Sequence, residues 1–249
     1  MKKVIVLHKK EGETPLEAVE NFRNKNPEYP GIPLTYAGRL DPMASGVLVI
    51  LAGEETKSKE KYLALEKEYD FEVLFGFGTD TYDVLGKVTK HTVKIIQRKE
   101  LEKEIKKNLR SFVGEITQQY PMYSSKTVNG KPLFAYAREG KGMVTPTRRV
   151  FIKKLRLIKI REIDNKRLFK NIERRIRKVH GDFRQNEILR IWKKNLLTNT
   201  DGRKFFVASF KIKCSSGTYV RTVADTLGYK LQIGALAFSI KRTKVGNYA

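Results

Sequence analysis

At 249 residues and 40% hydrophobic, the chain has apolar content for a sizeable core and length for one large domain or two small ones. It carries 51 Lys+Arg against 27 Asp+Glu, a formal +24; folding does not need this excess, self-repulsion opposes it, and it implies a polyanionic partner, nucleic acid first. No run approaches the about 18 apolar residues that cross a membrane, Val4 to Leu7 is too short for a signal peptide, and the single Cys214 excludes an internal disulfide and fits a reducing cytoplasm.

Val4 to Leu7 predicts a first strand. Thr14-Pro15 predicts a helix start, a capping threonine before an N1 proline, with Leu16, Val19 and Phe22 on one face. Prolines 27, 30 and 33 end that helix and lead to the stretch Tyr36 to Ile50. There Asp41 stands between a glycine-bearing turn and the apolar run Val47 to Leu51, which reads as a buried strand. Gly38 and Gly46 permit torsions that a side chain would forbid, and Pro42 stiffens the residue after the acid, so one carboxylate is expected on a rigid loop at the mouth of a sheet. Glu54 to Glu68 is charged and helical in pattern. Tyr69, Phe71, Val73 and Phe75 alternate as a strand with one buried face, Gly76 to Gly86 reads as a loop, and Leu101, Ile105, Leu109 and Phe112 mark a helix face.

From Gln118 to Arg149 the chain is basic, aromatic and poorly periodic, with a short helix expected around Leu133 to Arg138; so long an irregular stretch reads as a binding lobe. Between Arg148 and Lys213 there are 22 Lys+Arg against 6 Asp+Glu. Two amphipathic helices are predicted inside that region. Leu168, Ile172, Ile176 and Val179 line the first, and Ile188, Ile191, Trp192 and Leu196 the second, with Gly181 between them and ten cations, Arg175 among them, on the outer faces. Asp201-Gly202 then turns into a strand whose Phe206, Ala208, Phe210, Ile212 and Cys214 face one way, which makes Cys214 a core residue rather than a nucleophile. A helix with Val220, Val223, Ala224 and Leu227 inward and a last strand, Leu236 to Ile240, complete the chain. No metal and no cofactor are expected. His8, His91 and His180 are scattered, no phosphate-binding Gly-x-x-x-x-Gly-Lys-Ser/Thr occurs, and Gly76-Phe77-Gly78 fails the dinucleotide pattern at Thr81.

Gly38-Arg39-Leu40-Asp41-Pro42-Met43-Ala44-Ser45-Gly46-Val47-Leu48 resembles the catalytic loop of pseudouridine synthases, specifically the TruB family that modifies uridine 55 of tRNA. Four further stretches resemble that family in the same order: Lys67-Glu68-Tyr69-Asp70-Phe71; Thr79-Asp80-Thr81-Tyr82-Asp83 with Gly86; Pro121 to Lys126 with Leu133 to Gly140; and Gly217-Thr218-Tyr219-Val220-Arg221-Thr222. The resemblance covers about residues 4–160 and 205–248. It implies Asp41 as the catalytic carboxylate, Tyr69 as a stacking partner for the target base and proton acceptor, and Arg221 as the ion-pair partner of Asp41. Pattern alone leaves Tyr69 and Tyr219 equally readable as core aromatics. For Arg221 there is a second hint: it falls in the first turn of a helix, where a positive charge opposes the macrodipole and a nearby carboxylate would offset the cost. RNA contacts are implied for Lys9, Tyr36, Arg39 and Tyr219, and for Lys126, Lys131 and Arg138 in the family's RNA-gripping thumb.

Chemically, isomerising uridine means breaking the C1′–N1 bond, turning the base and rejoining it through C5. A single carboxylate can do this by attacking C1′ or by taking a sugar proton, with no redox, phosphoryl or metal step. The chain departs from the family at Tyr36, where a histidine is usual, and at Lys10, which replaces a proline. It also departs in a basic insertion at 163–200 and in stopping before the family's C-terminal RNA-binding PUA domain. The expectation is one catalytic domain over 1–249, α+β, with a mixed, largely antiparallel sheet and flanking helices, a thumb insertion at 118–149 and the helical insertion at 163–200. It would act in the cytoplasm as a monomeric, cofactor-free tRNA pseudouridine synthase. The alternatives are a synthase for another RNA and a non-catalytic RNA-binding or RNA-remodelling protein.

Overall fold

A computed structural model of the chain describes residues 2–92, 97–140, 142–198 and 203–249. Its first strand, β1 (Val4–Lys9), leads into α1 (Pro15–Lys25), which starts where the capping threonine predicts. The Glu17 N–H donates to Thr14 Oγ1 at 3.2 Å and the Thr14 N–H to the Glu17 carboxylate at 2.6 Å, a reciprocal box that satisfies two otherwise orphaned donors. The inward face differs from expectation. Pro15, Ala18 and Val19 are buried while Leu16 is 62% exposed, because the stripe that meets the sheet runs 15, 18, 19, 22 and position 16 lies about 100° off it.

After β2 (Leu34–Ala37) and β3 (Ala44–Ala52) come a 3₁₀ turn and the short helix α2 (Lys59–Leu63). The charged stretch expected to be helical to Glu68 is so only to Leu63, because β4 (Lys67–Phe75) begins within it, Lys67 pairing with Cys214 and Val245. Within and beyond the expected loop at Gly76–Gly86, β5 (Phe77–Thr79) pairs with β6 (Val88–His91) as a small ribbon. Helix α3 (Arg98–Leu109) follows, with the expected Leu101, Ile105 and Leu109 buried, and then β7 (Gly114–Gln119). The candidate lobe contains a tiny hairpin, β8 (Thr127–Val128) and β9 (Lys131–Pro132), and helix α4 (Leu133–Arg138) in the predicted place. Next are the long β10 (Thr147–Asp164), helices α5 (Asn165–Ile176) and α6 (Gln185–Leu197), β11 (Lys204–Cys214), α7 (Val220–Lys230) and β12 (Ala235–Val245), which extends five residues beyond the predicted last strand. The predicted turn Asp201-Gly202 and the insertion's end at Thr200 lie outside the described residues.

The main sheet runs β1-β3-β12-β4-β11-β10-β7, with β2 beside β3; β12 pairs β3 in parallel and every other pairing is antiparallel. This is the expected mixed, largely antiparallel sheet. Both faces are covered, the layered solution that lets each sheet face bury its apolar side. On one face α3 and α7 pack against Phe71, Val73, Phe75, Phe210 and Ile212. On the other, the inserted helices α5 and α6 bury Leu168, Ile172, Ile188 and Trp192 against Leu74, Val207, Leu236 and Phe238. Strand β4 therefore buries both faces at its distal end, where one buried face was expected. Cys214 sits in the first core, where burial pushes its thiol up to about 11, as a core residue should.

The insertion's register is largely as predicted, with two corrections. Leu189 is buried in α6 and Ile191 is only partly so, because Trp192 sets the inward direction by donating Nε1–H to the Val84 carbonyl at 3.1 Å. Arg175 is not on the outer face. It is buried, its Nε and Nη2 donate to the Glu11 carboxylate at 2.9 and 3.1 Å, and its Nη1 donates to the Phe238 carbonyl. The pair ties the insertion to the β1–α1 connection. Removing one partner of a buried pair strands the other and its desolvated carbonyl; since Glu11 is only partly shielded, Arg175→Ala should cost about 3 kcal/mol, the lower end for such pairs, measured by urea unfolding.

Candidate active site

The loop carrying Asp41 joins β2 to β3, and it is anchored from below on both sides of the sheet: Leu40 is buried in the core under α7, Met43 in the core under α5 and α6. Its backbone is closed by the Ala44 N–H donating to the Asp41 carbonyl at 2.9 Å and the Gly12 N–H donating to the Pro42 carbonyl at 2.8 Å. The strongest hold comes from Arg242 on β12, which is 1% exposed. Its Nε donates to the Val47 carbonyl at 2.7 Å, Nη2 to Gly38 at 3.1 Å and Nη1 to Arg39 at 3.4 Å, so one guanidinium fork fixes both ends of the loop. Gly38 (φ +92°) and Gly46 (φ +104°) adopt the left-handed region expected of them; a Cβ on Gly46 would stand 2.1 Å from the Arg242 carbonyl oxygen.

Asp41 thus projects a half-exposed carboxylate, and Arg221 meets it. Arg221 occupies the first turn of α7 with its side chain 4% exposed. Its Nη2 donates to Asp41 Oδ1 at 3.1 Å, while Nε lies 2.8 Å from Oδ2, off line for a hydrogen bond but close for charge. Both outer nitrogens also reach main-chain acceptors: Nη1 donates to the Thr81 carbonyl at 2.6 Å and Nη2 to the Tyr123 carbonyl at 3.2 Å. A second acid, Asp83, lies 3.8 Å from Nε. Burial works against the Arg221 cation, but Asp41 and then Asp83 more than offset it, and the guanidinium is held charged. Burial pushes the Asp83 carboxyl up, opposed by Arg221; it accepts instead from Thr81 Oγ1 at 2.7 Å and the Leu85 N–H at 2.9 Å. Asp83 therefore serves the loop's interior, leaving Asp41 as the acid that faces solvent.

Tyr69 and Tyr219 line the same place. Tyr69 is partly exposed on β4 opposite Arg242, and burial raises its hydroxyl above the ordinary range, keeping it neutral. Tyr219 caps α7; burial and then Asp41 raise its hydroxyl, and its ring meets Tyr120 edge-on at 5.5 Å. Lys9, expected to contact RNA, is turned inward. Its Nζ donates to the carbonyls of Lys10 at 2.8 Å and Glu13 at 2.6 Å, and burial pushes it down to about 8. Tyr36 and Arg39 share a contact at the rim, Arg39 Nη2 donating to the Tyr36 hydroxyl at 3.3 Å. The lobe's cations are engaged within the protein: Lys126 over the Tyr120 ring, Lys131 against Glu139 and over Tyr136, and Arg138 over Phe134 with Nη2 donating to the Asp182 carbonyl. Three contributors were not foreseen. Asp83 lay in a recognised motif without a role, Tyr123 acts through a main-chain carbonyl that no side-chain pattern reveals, and Arg242 read as one basic residue among many.

Comparison with known proteins identifies the family of the chain and its fold. The family model described as the TruB family pseudouridylate synthase N-terminal domain matches residues 33–172, more than half of the chain. The chain belongs to the TruB family. It is 32% identical to tRNA pseudouridine synthase B of Bacillus cereus over 250 residues, covering all of this chain and 67% of that protein. It is 31% identical to the enzyme of the same name from Thermotoga petrophila, covering 98% of this chain and 63% of that one. Among solved structures, a chain of a Cbf5-Nop10-Gar1 complex superposes with a TM-score of 0.56 at 18% identity, and one from an H/ACA RNP bound to a substrate RNA containing 2′-deoxyuridine with 0.54 at 17%. Each likeness covers 98% of this chain but about half of the solved one. The fold is therefore that of the pseudouridine synthases, and the chain spans roughly two thirds of the relatives' length. Among the described residues no helix is long and apolar enough to cross a membrane.

If Arg242 is what holds the loop, Arg242→Lys should leave the Gly38 or Arg39 carbonyl without a donor. Each orphaned buried acceptor costs about 1–3 kcal/mol, so thermal and urea unfolding should show a loss of about that size despite the conserved charge.

Proposed function

We propose that this TruB-family chain converts uridine 55 in the T arm of tRNA to pseudouridine, with Asp41 as the reacting carboxylate. The observation that carries this is the Asp41–Arg221 pair: a half-exposed carboxylate held against a buried, permanently charged guanidinium on a loop pinned from three sides. Arg221 stabilises the ionised acid and points it outward, as an attack on C1′ or removal of a sugar proton demands. The C1′–N1 bond then breaks and the uracil turns. C5 bonds to C1′ as the Asp41–C1′ bond breaks, or as Asp41 returns the sugar proton. C5 gives up its proton while N1 gains one, so the carboxylate is regenerated and the atoms balance without a cofactor. A uridine within a folded arm must leave its stack to reach Asp41, and a partly exposed, neutral Tyr69 beside the carboxylate supplies a ring for the flipped base, worth about 1–3 kcal/mol. Its raised hydroxyl favours stacking over the proton-accepting role in the free protein.

The test is an unmodified tRNA transcript, mapped for pseudouridine by position. Modification at 55 is expected, and Asp41→Asn should reduce it below about a thousandth of wild type, some 4 kcal/mol of barrier, while tRNA affinity stays close to unchanged. Conversion elsewhere, or an active asparagine variant, would overturn the assignment. Arg221→Lys should also slow conversion, because an ammonium cannot meet Asp41 and the Thr81 and Tyr123 carbonyls together; an unchanged single-turnover rate at neutral pH would count against the pairing.

The RNA itself is assigned to the 118–149 lobe and to the outer side of the insertion, within a single catalytic domain. Lys166, Lys170, Arg174 and Lys178 are exposed at four-residue steps along α5 and just past it, and none has an acidic partner in ion-pair range among the described residues. Changing all four to Gln should weaken tRNA binding and flatten the dependence of log K on log salt by about two to four. Single-turnover chemistry at saturating tRNA should stay as in wild type; an unaltered slope would place the phosphate contacts elsewhere.

A further inference from the structure

The turn between α5 and α6 is built more stiffly than a solvent-facing connection requires. Gln185 Nε2 donates to the carbonyls of Val179 at 3.0 Å and Gly181 at 2.7 Å, and its Oε1 accepts from the Phe183 N–H at 2.9 Å. Arg184, the residue before α6, sits at φ +64°, a left-handed torsion that is strained for a residue with a β-carbon and persists only where neighbours enforce it. What the torsion achieves is an aim. The Arg184 guanidinium leaves its own helix and reaches two other parts of the chain: Nη1 lies 2.7 Å from Asp80 Oδ2, and the planar group covers the Tyr123 ring at 4.3 Å. Both side chains of the ion pair are only about a fifth exposed. Asp80 in turn accepts from the Lys87 N–H at 2.8 Å, closing the loop that carries Thr81 and Asp83. A second tie, Arg138 Nη2 to the Asp182 carbonyl at 3.1 Å, joins the lobe to the same turn.

Arg184 thus grips Asp80, the neighbour of Thr81, and the side chain of Tyr123. The carbonyls of Thr81 and Tyr123 are the two main-chain acceptors that hold the outer nitrogens of Arg221. We propose that Arg184 is a positioning residue for the reaction. From the inserted turn it locks the two segments whose carbonyls aim the Arg221 guanidinium at Asp41. The insertion is then part of the active-site frame, whatever its outer face does with RNA. The proposal rests on the reading of Asp41 and Arg221 given above.

Four variants test it: Arg184→Ala, Arg184→Lys, Asp80→Asn and the Ala/Asn double. A displaced Arg221 should slow single-turnover conversion at saturating tRNA by about tenfold to a hundredfold in Arg184→Ala, the scale of a small misplacement of reacting groups, with tRNA affinity within about twofold of wild type. Arg184→Lys can keep the ion pair but not the flat contact with Tyr123, so it should fall between. The double variant should be no slower than the worse single one, since removing Arg184 already removes the contact that Asp80→Asn weakens. A variant that loses affinity and salt dependence while keeping its single-turnover rate would make Arg184 a phosphate contact and overturn the proposal, as would additive losses. A readout without substrate separates this from failure of the functional reading. In ¹⁵N-edited spectra the Arg221 guanidinium protons should exchange slowly in wild type and at least about tenfold faster in Arg184→Ala. Unchanged exchange overturns the positioning role even if the wild type proves inactive on tRNA. If Arg184→Ala does not fold, the lysine and Asp80→Asn variants carry both measurements.

Discussion

A guanidinium taken out of water costs several kcal/mol unless its charge is balanced and its donors are engaged, and around Arg221 the chain supplies two carboxylates and acceptors for both outer nitrogens from three separate segments. Asp41 comes from the β2–β3 loop, Thr81 and Asp83 from the loop after β5, and Tyr123 from the lobe. Two of these segments are seated by apolar side chains, Leu40 and Met43 in the first loop and Val84 and Leu85 in the second, and all three come within hydrogen-bond or ion-pair range of one cation. The anchor is α7, whose Val220, Val223, Ala224 and Leu227 are buried on the sheet. Site geometry here follows from solving one desolvation problem, and displacing any of the three loops leaves a buried charge undersatisfied.

Arg242 solves the complementary problem for backbone. The parallel contact of β12 with β3 brings the Arg242 main chain against Gly46 and lets its side chain pass beneath the loop to the carbonyls of Gly38, Arg39 and Val47. One residue therefore sets both the closest backbone approach and the loop's polar closure. The Asp83 loop is joined to the same strand, since the Ala237 N–H donates to the Tyr82 carbonyl at 2.9 Å. Strand β12 is the common rail on which both acids are mounted.

What was legible in the sequence had a period. The apolar stripes of α3 and α7 and the alternation in β11 came out as read, because burial on one face repeats at 3.6 or 2 residues and needs no knowledge of what lies opposite. Leu16 and Ile191 were misread because a stripe can be drawn through either of two neighbouring apolar positions, and only the sheet beneath decides. Arg175 could not be read at all: an arginine on a basic helix looks solvated until Glu11, 164 residues away, turns up beside it. The Asp41–Arg221 contact spans 180 residues; a cation in the first turn of a helix hinted at some carboxylate nearby, and resemblance to a family named which one. Asp83, Tyr123 and Arg242 act through a buried carboxylate, a carbonyl and a fork beneath a loop. None of these leaves a compositional trace.

Where the inserted helices enter the chain has a kinetic side. They leave β10 at Asp164 and return to β11 at Lys204, and those two residues are opposite one another in the ladder. Two antiparallel strands that a two-residue turn could join are separated instead by some forty residues, and closing a connection of that length costs entropy that grows as about (3/2)RT ln n. The helical pair can lower that cost if it forms first, since its own contacts are local and it draws the strand ends together as it folds. It is these helices that cover Leu74, Val207 and Phe238 on the sheet face beneath them. On this topology the helical pair does more than join two strands, and excising it would uncover an apolar sheet face rather than leave a smaller enzyme.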